Sequence, residues 1–148
     1  PAAMRLGHGT LIGAFSEIVV LRSCAQSSVT GALTVGADVH LGMGASVRAA
    51  GGLIDIGAGT QIGQHVSLIA SNHQIDLATS LPAMDRWDPV KTGVTIGGGC
   101  WIGAGVVVLP GVSIGDGAII GAGSIVTRSV SAGMIWRGNP ARPSSHTQ

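Results

Sequence analysis

Charge is scarce in this chain: only 10% of its 148 residues are charged, and the formal net charge is +1. No basic stripe runs through it, which argues against a nucleic-acid partner. Tyrosine is absent, Phe occurs once and Trp three times. Two cysteines, Cys24 and Cys100, make no disulfide framework. The opening Pro1-Ala2-Ala3-Met4 lacks a basic-then-apolar leader pattern, so the expected compartment is the cytoplasm. The stretch Thr92 to Gly115 carries no charge over 24 residues, long enough for a membrane helix, but its eight glycines and Pro110 argue against one.

What the chain does have is a period of six. Aliphatic residues recur as Ile96, Ile102, Val108, Ile114, Ile120 and Val126. The same step links Ile56, Ile62 and Leu68; Val29, Val35, Leu41 and Val47; and Leu6, Ile12 and Ile18. Six fits neither a 3.6-residue helix face nor a two-residue strand alternation. It fits a solenoid whose repeat is a short strand plus a corner. Three repeats make one coil of triangular section, and coils stack at roughly 4.8 Å as parallel sheets.

Each hexad has its own chemistry. Place one is aliphatic and faces inward. Place five is small and also faces inward, as with Thr60, Cys100, Val106, Ala118 and Ser124. Places two and four are often Gly, expected to relieve the corners by adopting angles that other residues avoid. The register slips between Ile18 and Val29, between Val47 and Ile56, and between Leu68 and Ile96. The last slip expels a loop over residues 71–93, containing Pro82, Met84, Trp87, Asp88 and Pro89. A loop of that length in a compact domain is usually functional or disordered, and this one is expected to shape a site. The expected organisation is a single all-β domain over residues 1–142 with a polar tail at 143–148. With mean hydropathy +0.48 and few charges, such a prism is expected to bury a flank against copies of itself.

The C-terminal third carries more specific motifs. They are Trp101-Ile102-Gly103 followed by Pro110-Gly111, Ile120-Gly-Ala-Gly-Ser-Ile-Val-Thr127-Arg128, and Gly138-Asn-Pro-Ala-Arg142. Together they resemble the hexapeptide-repeat acyltransferases, in particular the sugar and xenobiotic O-acetyltransferase branch. The resemblance implies a left-handed parallel β-helix and a homotrimer with sites between subunits. It implies acetyl-CoA as donor and a hydroxyl of a sugar or polysaccharide precursor as acceptor. An antibiotic-type acceptor, an acyl carrier protein as donor, and a non-catalytic scaffold are the alternatives.

The resemblance also assigns residues. Asn72-His73-Gln74-Ile75-Asp76 matches the family's N-H-x-x-D pattern at the opening of the loop, which makes His73 the candidate general base. Asp76 or a backbone carbonyl is the candidate partner for its second ring nitrogen. Ala104, Ala122, Thr127, Arg128 and Arg142 match the donor-binding positions, with the arginines as phosphate partners. Trp101 is at place six, so it should face outward into a groove or a subunit contact. Trp87 and Met84 are candidate acceptor contacts. Among the other histidines, His40 and His65 take outward hexad places and His146 is in the tail. A carbonic anhydrase class on the same solenoid uses a pair of histidines five apart; none is present here, and no metal is expected.

Overall fold

The computed structural model describes residues 3–23 and 28–144. Cys24 and His146 lie outside the described residues. Nineteen strands and no helix occur among those residues. The first coil holds β1 (Met4–Leu6), β2 (Leu11–Ile12) and β3 (Glu17–Leu21). The second holds β4 (Ala32–Val35), β5 (His40–Leu41) and β6 (Ser46–Ala50), and the third β7 (Leu53–Ile56), β8 (Gln61–Ile62) and β9 (Ser67–Ile69). A hairpin, β10 (His73–Asp76) and β11 (Leu81–Trp87), interrupts the repeat. The fourth coil is β12 (Val94–Ile96), β13 (Trp101–Ile102) and β14 (Val107–Val108). The fifth is β15 (Val112–Ile114), β16 (Ile119–Ile120) and β17 (Ile125–Val126), and β18 (Ile135–Gly138) with β19 (Ala141–Pro143) completes the chain.

First, second and third strands of successive coils stack into three separate faces. Face A is β1-β4-β7-β12-β15, face B is β2-β5-β8-β13-β16-β18, and face C is β3-β6-β9-β14-β17. All pairs within a face are parallel; only β18–β19 and the β10–β11 hairpin are antiparallel. This is the parallel β-helix expected from the six-residue period, with the left hand that the resemblance implies. In the last full coils Val94 pairs with Val112, Trp101 with Ile119 and Val107 with Ile125, each 18 positions on.

Earlier coils show the three slips as excursions. Met4 pairs with Leu33, Leu33 with Ile54, and Ile54 with Val94, at steps of 29, 21 and 40. The excess over 18 is therefore 11, 3 and 22 residues, and the same excess holds on all three faces. One expectation needs correction here. Val29 belongs to the first excursion, outside any strand, and the inward register resumes at Leu33 and Val35.

The core follows the hexad. Ile56, Ile62, Leu68, Ile96, Ile102, Val108, Ile114, Ile120 and Val126 are buried, with Thr60, Val66, Cys100, Val106, Ala118 and Ser124 at place five beside them. Burial raises the Cys100 thiol pKa, and the thiol donates to Gly115 O at 3.1 Å. That is a packing cysteine rather than a reactive one. Leu6 and Ile12 point inward yet remain 43% exposed, because they lie on the outermost described coil with a neighbour on one side only.

The two glycine places do different work. At place four the backbone is left-handed, as at Gly99 (φ 63°). Phe15, Asp38 and His65 hold the same place with φ of 59°, 55° and 57°, so the corner imposes this angle even on side chains that disfavour it. At place two the reason is close approach. A Cβ at Gly63 would stand 2.6 Å from the Ala104 nitrogen of the next coil. The expectation of unusual backbone angles at both places therefore holds only at place four.

The two later excursions meet. The 71–93 segment leaves at Ala70 and returns at Gly93, where Gly93 N donates to Ala70 O at 2.7 Å. Trp87, at its base, is only 6% exposed and packs its ring on Gly51. Ser71 Oγ donates to Ala50 O, and Gly52 sits beneath the feet of the segment, where a Cβ would be 2.6 Å from both Ala70 O and Gly93 N. The run Ala50-Gly51-Gly52 is thus the seat of the hairpin. Gly51 has φ of 70° as well as the ring above it. Gly51→Ala should loosen the hairpin by roughly 1–3 kcal/mol. Limited proteolysis between 71 and 93, with Trp fluorescence, is the check; wild-type protease resistance would count against this seat.

Candidate functional site

His73 opens β10 and pairs with Trp87, but the next pair is Gln74 with Ala83. Met84, Asp85 and Arg86 therefore bulge from β11 opposite a single step of β10. Bulges of this kind re-aim side chains and backbone. Here the bulge brings the Arg86 carbonyl to 3.3 Å from His73 Nδ1. A carbonyl only accepts, so in this contact Nδ1 is the donor. The half-buried imidazole lines an open cavity of about 450 Å³ with Asn72, Ile75, Pro82 and Asp88.

The partner of Nδ1 is thus the backbone carbonyl, one of the two candidates. Asp76 is engaged elsewhere. Its Oδ1 accepts from Ala78 N at 2.9 Å and shapes the hairpin turn. Arg86 engages Asp85 through Nε at 3.2 Å. Trp87 is buried against Gly51, so its ring anchors the hairpin and does not line the His73 cavity. Met84 is 70% exposed on the bulge.

A second cavity, a groove of about 400 Å³, lies on face B and the corner between faces B and C. Trp101, Ala104 and Ala122 line it with Gly63, Gln64 and Gly103. Three of the expected donor-binding residues therefore converge. Trp101 does face outward, 60% exposed, between Gln61 and Ile119 of the neighbouring strands. Arg142 lies on β19 near the C-terminal end of the same face, with Nη1 donating to Ala141 O at 2.8 Å. Thr127 and Arg128 are placed elsewhere. They follow β17, at the corner between faces C and A, which is also the corner where the hairpin leaves. Within one chain the structure thus sorts the candidates into two groups: His73, Thr127 and Arg128 on one corner, and Trp101, Ala104, Ala122 and Arg142 on face B and its far corner.

Sequence reasoning left out Asp88, Asn72 and Gln64. Gln64 could have been found, because it occupies place three of its hexad, the place held by Ala104 and Ala122 in the coils above. Asp88 had no such signal, since it lies inside the excursion where the period is suspended. A further groove of about 460 Å³ on face A is lined by Thr95, Ser113, Asp116, Ser129 and Ser131. It contains none of the expected site residues. Among the described residues no three His, Cys, Asp or Glu side chains are grouped to hold a metal. No helix among the described residues could cross a membrane.

Comparison with known proteins bears on this architecture. Residues 93–128 match the bacterial transferase hexapeptide family (six repeats). The matched residues span β12 to β17, the fourth and fifth coils. No curated protein matches its sequence. Among solved structures, the chain is similar to AntD, an N-acyltransferase from Bacillus cereus in complex with dTDP and 3-hydroxybutyryl-CoA. That similarity has TM-score 0.77 and 22% identity, over 96% of this chain and 71% of AntD. The hexapeptide-repeat acetyltransferase VCA0836 from Vibrio cholerae O1 biovar eltor, complexed with acetyl-CoA, matches at TM-score 0.72 and 22% identity, over 94% of this chain and 68% of that one. A maltose O-acetyltransferase from Clostridium difficile 630 matches at TM-score 0.57 and 21% identity, over 95% of this chain and 65% of that one. At these identities the likeness establishes the fold alone.

Proposed function

We propose that this chain is an acetyl-CoA-dependent O-acetyltransferase acting on a hydroxyl of a sugar or polysaccharide precursor, with His73 as general base. The observation that carries this reading is the contact of His73 Nδ1 with the Arg86 carbonyl, which orients a ring that lines an open cavity. The matched structures support the donor class, since one is described with acetyl-CoA and another with an acyl-CoA. A maltose O-acetyltransferase among them supports the acceptor class.

The groove over Trp101, Ala104 and Ala122 fits the uncharged arm of the donor. Its walls are small side chains and glycine backbone, with one exposed indole for apolar contact. The donor supplies an acetyl thioester. His73 Nε2 takes the proton from the acceptor hydroxyl as its oxygen bonds to the acetyl carbon. The same nitrogen then returns that proton to the departing sulfur. No serine or cysteine stands beside His73 in its cavity, so the acyl group passes directly to the acceptor.

Within one chain the His73 cavity and the groove occupy different corners, which is why a homotrimer belongs to this proposal. One copy would supply His73, Thr127 and Arg128; its neighbour would supply Trp101, Ala104, Ala122 and Arg142. The apolar hairpin surface, with Ile75, Leu77, Leu81 and Met84 each more than half exposed, suits burial against a neighbour. The cytoplasm, where acetyl-CoA is made and used, is the compartment this reading requires.

The test is thiol release from acetyl-CoA in the presence of hydroxyl and amino sugars, with light scattering on the same preparation. Acceptor-dependent thiol release by a trimer is the expected result. Release stimulated only by amino sugars would transfer the proposal to N-acylation, and a monomer with full activity would sink the two-copy site.

A further inference from the structure

The groove on face B ends at a change of side-chain size. Its corner between faces B and C is a column of place-three residues, one from each coil, tied together by backbone bonds. Gly44 N donates to Ala14 O, His65 N to Met43 O, Gly105 N to Gln64 O and Gly123 N to Ala104 O, at 2.9, 2.9, 2.8 and 2.8 Å. From the first coil to the fifth the column therefore runs Ala14, Met43, Gln64, Ala104, Ala122. Ala104 and Ala122 give the groove a floor of methyl groups. Gln64 is the step up from that floor. It still lines the groove, whereas Met43, one coil nearer the N-terminus, does not.

The corner does not require a long side chain at this place. Gln64 is exposed, and its backbone carbonyl alone ties it to the next coil. Among the described residues its side-chain amide makes no hydrogen bond. Alanine fills the same place in the first, fourth and fifth coils.

On the two-copy site proposed above, the Gln64 end of the groove is the reacting end. The hairpin leaves the third coil after β9 and rejoins the fourth at β12, so His73 hangs at the height of these two coils. In a cyclic assembly with the prism axes along the symmetry axis, rotation keeps each coil level with its counterpart. A neighbour's His73 then meets the groove between Gln64 and Ala104, and the thioester must lie there. The acyl group beyond the thioester points at Gln64.

We propose that Gln64 sets the acyl length of the donor, stopping the groove just beyond an acetyl group. Met43, 45% exposed behind it, is the apolar surface that a longer acyl chain would cover if the stop were removed. This inference rests on the acyltransferase reading and deepens it, because it restricts the donor to short acyl thioesters. A close-fitting wall discriminates by about 10- to 200-fold per methylene group.

The experiment is calorimetric titration of CoA, acetyl-CoA and butyryl-CoA into wild type, Gln64→Ala and Gln64→Met. Wild type should bind acetyl-CoA at least about tenfold more tightly than butyryl-CoA. Gln64→Ala should bind butyryl-CoA about 10- to 200-fold more tightly than wild type does, with its affinity for CoA unchanged. Gln64→Met keeps the length and removes the amide, so it should retain the wild-type preference. All three should melt alike, since alanine is already the residue of this column and the amide has no partner. Equal binding of acetyl-CoA and butyryl-CoA by wild type, or the same preference in wild type and Gln64→Ala, would overturn the stop while leaving the donor groove and the acyltransferase reading in place. Loss of the preference in Gln64→Met would overturn length as the basis of selection. Failure of wild type to bind CoA in any form would remove the acyltransferase reading and this inference together.

Discussion

Ile114→Asp should cost the fold several kcal/mol, enough to leave little of the chain native. Ile114 is 1% exposed and lies in a column of inward residues on face A: Val35, Ile56, Ile96, Ile114 and, through an isolated bridge, Val130. It belongs to the hydrophobic core cluster of the prism. An unpaired buried carboxylate costs about 3–5 kcal/mol, out of a total stability of about 5–15 kcal/mol. The stacked architecture makes the damage worse than in a globular core, because each coil contacts only its neighbours. Losing the fifth coil exposes the fourth and releases the closing strands β18 and β19.

The variant should also acquire a pH dependence. Burial raises the folded-state pKa of the new carboxyl. The folded state then holds the proton that the unfolded state loses above about pH 4. Stability relative to wild type is therefore greatest below that pH and falls as pH rises through the raised pKa. Asp116→Ala is the control. Asp116 is exposed, but its Oδ1 accepts from Gly98 N at 2.8 Å in the coil before. Its loss should cost about 0.5–1.5 kcal/mol. Chemical denaturation of both variants at pH 4 and pH 7 separates the two cases, and similar midpoints at pH 7 would contradict the inward register.

Much of this architecture was legible in the period. Ile96 through Val126 are inward because six residues return the chain to the same place on the next strand, whatever the rest of the hexad contains. Cys100 and Thr60 were legible for the same reason, since a narrow prism admits only small residues at place five. Legibility stopped where the period was suspended. Val29 stands 11 residues after Ile18, nearly two repeats, but β3 continues to Leu21 and the inward register resumes only at Leu33. The run Ala50-Gly51-Gly52 is the seat of Trp87, a role that no periodic pattern signals. That contact joins two excursions far apart in sequence, and nothing periodic connects them. The Arg86 carbonyl on His73 was equally out of reach, because it depends on a bulge that only the pairing of β10 with β11 reveals.

His73→Ala should lower kcat by about 10²–10⁴ while leaving the oligomer and donor affinity intact, the range expected for removal of a positioned general base. A sugar hydroxyl attacks a thioester poorly at neutral pH, because its proton must leave as the new bond forms. On the proposed function His73 takes that proton, and the 3.3 Å contact of Nδ1 with the Arg86 carbonyl orients its ring. The ring is half-buried at the base of the hairpin and is not part of the prism core, so its removal opens no core cavity. The loss should therefore appear in kcat rather than in melting temperature. Steady-state kinetics on an identified acceptor, with calorimetric titration of CoA in parallel, distinguishes a base from a merely structural histidine. His65 is the informative comparison. It is exposed at a place-four corner, with φ of 57° and Nδ1 close to Gly44, and it lines neither the groove nor the His73 cavity. His65→Gly should keep full kcat and melt slightly higher, because glycine tolerates the left-handed angle. If His73→Ala instead retains more than about a third of wild-type kcat, well above the range for a lost base, the hairpin is not the source of the base. The carboxylate of Asp88, in the same cavity, is then the next group to replace.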